Sequence, residues 1–301
     1  MNVCTKQDHS FKQICLDNNI KLKELSFSEN DFWDLIFLAA EKIDEPVADY
    51  AILPTLKLSK KASKEFKVVL TGEGGDELFG GYGRYKKVQR LLFKGRDLKE
   101  TFNSGTFFKK LQKKNNDFEN KTQYFDFKNT TKLQQKQLFD YKNWLPNDLL
   151  IKLDRCLMAF SLEGRTPFID KNMFSNFFFV DDNLKIKSGF GKFYVRHFLK
   201  RNLKRYNSFS PKKGFTIPIN EWIPKKIDLI KKNLLKLDFL FLFFTEKEII
   251  FLCDEVKNDK KLSKSIWHII FFSSWYLIHI EGIKERGNYF EVLKKVNEYK
   301  K

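Results

Sequence analysis

Apolar and polar residues alternate over 20–27, IKLKELSF, the period-two pattern of a half-buried strand. At Ser28 the period changes. Ser28 is a suitable N-cap, and apolar residues then recur at helical spacing, which predicts a helix over 29–43. Glu45-Pro46 ends that pattern, because a residue before proline is pushed out of the helical region. A second helix is predicted over 54–66. Lys67-Val68-Val69-Leu70-Thr71 follows, a short β-branched run that predicts a buried strand stopping at Gly72. The order strand, helix, helix, strand, glycine-rich loop is that of an α/β unit with a parallel sheet.

Residues 91–130 break the periodicity. They are rich in Lys, Asn and Phe, with nine basic and five acidic side chains, and predict an insertion or irregular connection. From 131 the pattern is mostly helical, with helices predicted over 131–142, 147–160, 191–204, 245–256 and 261–281. The chain thus divides into an α/β part over 1–90, a basic insertion or irregular connection over 91–130, and a helical part over 131–301.

Composition changes this picture little. The 301 residues, 42% hydrophobic with 33 phenylalanines, can build a real core. The net charge of +18 raises the prospect of an anionic partner. Lysine greatly exceeds arginine, however, and the lysines are scattered, so compositional bias explains the charge better than nucleic-acid binding. Cys4, Cys15, Cys156 and Cys253 form no CxxC pair and no metal-spaced cluster, and read as free thiols in a reducing compartment. The longest apolar stretch, Trp267–Ile280, is too short to span a bilayer and reads as a buried helix. No apolar run follows Met1, so a cytoplasmic location is expected.

The stretch richest in chemistry is Thr71-Gly72-Glu73-Gly74-Gly75-Asp76-Glu77-Leu78-Phe79-Gly80-Gly81-Tyr82, at the carboxyl end of the strand over 67–71. Open α/β sheets place their ligands there. Glycines allow positive φ and close backbone approach, and their amides can cradle phosphate oxygens. Acids beside such amides repel anions unless a Mg²⁺ bridges carboxylate and phosphate. The competing reading is an ordinary loop with capping acids at a helix start. No GK[ST] follows and no GxGxxG is present, so this is neither a Walker A loop nor a dinucleotide fingerprint.

The string GEGGDELFGGYGRY resembles the asparagine synthetase family, as does Asp44-Glu45-Pro46-Val47-Ala48-Asp49 before it. The resemblance continues in the family's order. It takes in Leu145-Pro146-Asn147-Asp148-Leu149-Leu150, Lys152-Leu153-Asp154-Arg155 and Ser161–Asp170. It then takes in Gly191-Lys192, Ser210–Pro218 and the apolar helix around Trp267, covering roughly residues 8–281. It implies an ATP-pyrophosphatase type of α/β domain with a partial parallel sheet followed by a mostly helical part, residues 1–90 being the nucleotide-binding portion. It further implies synthesis of asparagine: ATP with Mg²⁺ adenylates the aspartate side chain, pyrophosphate leaves, and ammonia derived from glutamine attacks the acyl-adenylate.

By this resemblance Thr71, Gly72, Gly74 and Gly75 contact ATP. Glu73 acts in the amide-forming step, Asp76 is the Mg²⁺–pyrophosphate ligand, and Lys192 stabilises charge on the phosphates and the adenylate. Asp154 and Arg165 would line the substrate site. Their bland readings are a helix-exposed acid for Asp154 and a surface pair with Glu163 or Asp170 for Arg165. His197 and His268 lie on apolar helical patterns and read as core or partly buried histidines rather than catalytic ones.

The sequence departs from the family at several points. The phosphate loop Ser-Gly-Gly-x-Asp-Ser does not occur, and the Ser188-Gly189 pair does not replace it. No Met-Cys start of a glutaminase is present. Gly164 stands for the usual alanine and Thr166 for the usual valine, both mild changes. The expected partners are therefore a segment carrying the phosphate loop and a glutaminase domain or chain, with no activity for this chain alone. Other readings are an amide ligase for another carboxylate, a non-catalytic remnant that assembles with a partner, and an RNA-modifying relative.

Overall fold

The computed structural model describes residues 2–3, 9–89, 129–203, 206–210 and 217–299. Residues 91–128 of the expected insertion lie outside these, as do Cys4 and residues 211–216 of the Ser210–Pro218 block.

Local chemistry sets the Glu29–Lys42 helix at the predicted place. Ser28 Oγ accepts from Asp31 N at 3.2 Å, and the Asp31 carboxylate accepts from Ser28 N at 2.7 Å, a complete capping box. The helix buries Phe32, Trp33, Ile36, Phe37, Ala39 and Ala40. It packs on the Ile52–Ala62 helix, the Ser263–His279 helix and the closing Tyr289–Tyr299 helix. Trp267 is fully buried in this cluster, as the reading of Trp267–Ile280 as a core helix requires. Among the described residues no helix is long and apolar enough to cross a membrane. Cys15, Cys156 and Cys253 are buried free thiols.

The sheets are small. Strand β1 (Asn2–Val3) pairs in parallel with β2 (Glu24–Leu25). β3 (Val68–Leu70) pairs in parallel with β4 (Glu163–Arg165), Val69 facing Gly164 in register. β5 (Ile186–Lys187) and β6 (Phe190–Gly191) form an antiparallel hairpin. Among the described residues the expected strand over 20–27 thus contracts to two paired residues, Glu24 and Leu25. The mixture of parallel pairs and a largely helical remainder agrees with the α/β class expected.

Two helices expected over 131–142 and 147–160 are one continuous run. It is α-helical over Lys132–Phe139, π-helical over Asp140–Leu150 and α-helical again over Ile151–Met158. The wider winding carries Pro146, which lacks the amide an α-turn needs. Side chains on either side of it bond carbonyls four residues back: Asn143 Nδ2 donates to Phe139 O and Asn147 Nδ2 to Asn143 O, both at 2.9 Å. This run forms one wall of the site described next.

Candidate active site at the end of strand β3

β3 delivers Thr71 beside β4: the Thr71 amide donates to Arg165 O at 2.8 Å. The chain then turns. Gly74 has φ of +85°, and a Cβ there would sit 2.2 Å from Ile169 Cγ2, so two independent constraints require glycine. A short helix, Gly75–Phe79, follows and presents Asp76. The hairpin β5–β6 closes on its far end. A Cβ on Gly191 would lie 2.3 Å from Gly80 O, so the two backbones touch. Lys192 N donates to Phe79 O at 3.0 Å. These contacts bring Lys192 Nζ to 3.1 Å from Asp76 Oδ2.

Glu73 lies between charges. Burial pushes its carboxyl up from the usual range; Lys152 and Lys192 oppose that shift, while Asp49 and Asp76 add to it. Lys152 Nζ bonds Asp49 Oδ2 at 2.6 Å, with the lysine side chain only 7% exposed. Burial would lower the Lys152 ammonium, but Asp49, Glu73 and Asp148 outweigh it and hold it charged. Burial, then Asp49, push the Asp148 carboxyl up to about 7. Four carboxylates, Asp49, Glu73, Asp76 and Asp148, thus act on one another and on two lysines. Perturbed acids collected in this way are a recurring mark of functional sites.

The residues singled out from the sequence divide. Glu73, Asp76 and Lys192 come together. Gly72 is exposed, and among the described residues a Cβ added there would meet nothing within 4 Å, so none of them demands glycine. Gly74 and Gly75 are buried, and a Cβ on Gly75 would press on the Phe168 ring at 3.1 Å; packing already accounts for these two. Arg165 offers its carbonyl to Thr71, but its side chain is 65% exposed and bonds Glu163 at 2.5 Å. Asp154 is 57% exposed and bonded to Arg155 at 2.8 Å. Both side chains adopt the bland alternative. His268 is half-buried, and desolvation pushes its imidazole down to about 4. His197 departs from the core reading: it is exposed, with its ring against Phe193 and Phe209.

Asp49, Asp148 and Lys152 are site residues that the sequence reading misses. Asp49 is separated from the other two by about a hundred residues, and only the fold joins them. The signal that was available is helical phase. Asp148 and Lys152 are four apart on one face of the run, and Lys152 falls within the buried stripe of Leu149, Leu153 and Cys156.

The second half of the glycine-rich string serves another purpose. Tyr82 OH donates to Glu77 Oε1 at 2.7 Å. Arg84 Nε at 2.9 Å and Tyr85 OH at 2.6 Å both donate to Asp140 Oδ2. Gln137 Nε2 donates to the carbonyls of Glu77 and Leu78 at 2.6 and 3.0 Å. These bonds fasten the Asp76 helix to the helical wall.

Among the described residues no group of three or more His, Cys, Asp and Glu could hold a metal by itself. Mg²⁺ commonly takes only one or two protein carboxylates, with substrate phosphates and water completing its shell. Asp76 fits that smaller share.

Comparison with known proteins bears on the whole chain. Asparagine synthetase [glutamine-hydrolyzing] 1 of Bacillus subtilis is 27% identical over 281 residues, covering 79% of this chain and 44% of that protein. A putative asparagine synthetase [glutamine-hydrolyzing] of Mycobacterium tuberculosis is 29% identical over 223 residues, covering 60% of this chain and 34% of that protein. A putative asparagine synthetase [glutamine-hydrolyzing] 2 of Methanocaldococcus jannaschii is 46% identical over 67 residues, 22% of this chain and 13% of that protein. The chain therefore spans less than half the length of these relatives. The profile of the asparagine synthase family matches residues 9–277, which include β3, its glycine-rich loop, the helical wall and Lys192. This chain belongs to the asparagine synthase family.

Proposed function

We propose that the site at the end of β3 joins aspartate to ammonia through an aspartyl-adenylate, in a domain of ATP-pyrophosphatase type. The observation that carries this reading is the placement of Glu73 between the Asp76–Lys192 and Asp49–Lys152 pairs. Adenylation brings a carboxylate against the α-phosphorus of ATP, and both are anionic, so cations must screen the approach. Lys192 supplies one, and Asp76 would hold a Mg²⁺ against the departing pyrophosphate. A Mg²⁺ held by Asp76 would offset the negative charge on the phosphate oxygens. Thr71 and Gly72 lead the main chain past the nucleotide.

The second half-reaction needs a base, because attacking ammonia must lose a proton. Burial raises the proton affinity of the Glu73 and Asp148 carboxylates, so in their ionised forms they are suited to take it. Lys152 and Asp49 present one cation and one anion side by side, complementary to the α-carboxylate and α-ammonium of an amino acid. The same chemistry would serve a related ligase acting on another amino-acid carboxylate.

The pyrophosphate must also be held on its other side, and the Ser-Gly-Gly-x-Asp-Ser loop is not among the 301 residues. Turnover is therefore assigned to this chain together with a segment bearing that loop, and ammonia to a glutaminase domain or chain. The test is product analysis with ATP, Mg²⁺, aspartate and ammonia. The chain alone should release no pyrophosphate. Mixed with a polypeptide bearing the loop, it should form AMP, pyrophosphate and asparagine in equal amounts. Pyrophosphate from the chain alone would refute the dependence on the loop. A mixture that makes no asparagine would refute the substrate.

A further inference from the structure

Lys192 adopts φ of +54° and ψ of 36°, a left-handed conformation that side-chain-bearing residues rarely hold without support. Phe79 O provides support on one side. Arg196 provides it on the other. Its Nε donates to Gly191 O at 2.9 Å, and its Nη1 donates to Ser208 O at 2.5 Å and Ser210 O at 2.9 Å. Its own amide donates to Lys192 O at 2.9 Å. The guanidinium lies 5.6 Å from the Phe190 ring centroid. Phe209, between the two serines, packs on Phe190 and Phe193 at 5.3 and 5.8 Å.

One side chain thus ties together the residue before Lys192, the turn of helix after it and the 206–210 loop. All three side-chain bonds go to main-chain carbonyls. The planar fork of arginine can reach several acceptors at fixed angles; a lysine ammonium cannot match that geometry. We propose that Arg196 is a positioning residue for Lys192: it holds the left-handed turn that aims Nζ at Asp76. Its importance for synthesis rests on the reading of Lys192 given above, but the geometric assignment does not.

Site-resolved acylation of lysines by an N-hydroxysuccinimide acetate, followed by mass spectrometry, reads this directly. An amine held against a carboxylate acylates slowly. Arg196→Ala is expected to raise the Lys192 rate about ten-fold, the loss of one charge-assisted bond, while Lys57 and Lys231 keep theirs. Added guanidinium ion should restore the slow rate, and Arg196→Lys should fall between. A folded variant with an unchanged Lys192 rate, or with all lysines accelerated alike, overturns the proposal. If Arg196→Ala fails to fold by circular dichroism, Arg196→Lys is judged by the same criterion. A parallel arm adds Mg–ATP to the unmodified chain. Failure to protect Lys192 there counts against the nucleotide reading and leaves the positioning role standing.

Discussion

Around Phe32, Trp33 and Trp267, apolar side chains from several helices are buried completely; some polar atoms among them find main-chain partners, while Trp33 Nε1 and the Tyr289 hydroxyl make no hydrogen bond among the described residues. Trp267 Nε1 donates to Ala48 O at 2.8 Å, and the Ser273 and Ser274 hydroxyls donate to carbonyls one turn back. The end of β3 is built in the opposite way. Val68 and Leu70 are 49% and 76% exposed on a two-stranded parallel sheet, although parallel sheets are normally covered on both faces. The side chains gathered beside them are acids and lysines. The helical region stabilises the fold, and the strand end concentrates charge at a cost to stability, as functional sites commonly do. Four sets of substitutions test that contrast.

The largest effect belongs to the helical region. Trp267→Ala should cost about 3–5 kcal/mol in urea unfolding, the usual loss for a fully buried tryptophan, while the fraction still folded binds Mg–ATP as before. A loss under about 1 kcal/mol would mean that this cluster is not the main source of stability.

Next comes the buried pair beside Glu73. Lys152→Ala removes the cation that Asp49, Glu73 and Asp148 share, and should cost about 3 kcal/mol. Replacing both partners, Lys152→Met with Asp49→Leu, should cost less than the single change, because the unpaired Asp49 goes too. A double variant worse than the single one would show that the pair is a net source of stability.

Gly81→Ala probes the other pair. A Cβ at 81 would lie 1.8 Å from Asp76 Oδ1 and 2.5 Å from Lys192 Cε, so both side chains must shift from their present pairing geometry. The expected stability loss is about 1–2 kcal/mol, with Mg–ATP binding weakened far more than in Trp267→Ala. Unfolding and binding that fall in equal proportion would erase the distinction between the two regions.

The last effect is a pH dependence. The Asp148 carboxyl titrates at about 7 in the fold against 3.8 ordinarily, so the folded state keeps a proton the unfolded chain has lost. Its contribution to stability is therefore present at low pH and lost as pH rises from about 4 to about 7. Asp148→Asn should raise the urea midpoint at about pH 8 relative to the unmodified chain and change it little at about pH 4. His268, pushed down to about 4 from 6.5, works in the opposite sense as pH falls, but it is common to both proteins and cancels.

Much of this site can be read along the chain because its chemistry is local. The loop from Thr71 to Gly81 and the Gly191-Lys192 step are contiguous strings, and the Ser28 cap stands next to the helix it starts. The rest depends on distant partners. β4, Glu163-Gly164-Arg165, has no β-branched residue, and becomes a strand because β3 lies beside it. Gly164 looks in the sequence like a mild replacement for alanine, yet a Cβ there would sit 2.4 Å from Leu157 Cδ1, a clash that only folding reveals. Asp154 and Lys152 stand in one string, and their residue types alone do not favour the lysine; helical phase turns Lys152 inward and Asp154 out. The buried bond from Arg84 and Tyr85 to Asp140 spans more than fifty residues, and no short-range pattern announces it.

The most direct test of the central claim is isothermal titration of Mg–ATP into the chain and into Asp76→Asn and Lys192→Met. If the end of β3 is the nucleotide site, the unmodified chain binds and each substitution weakens binding by about ten-fold or more, the loss of one charge-assisted contact. Mg–ATP that fails to bind, or that binds all three alike, would contradict the account.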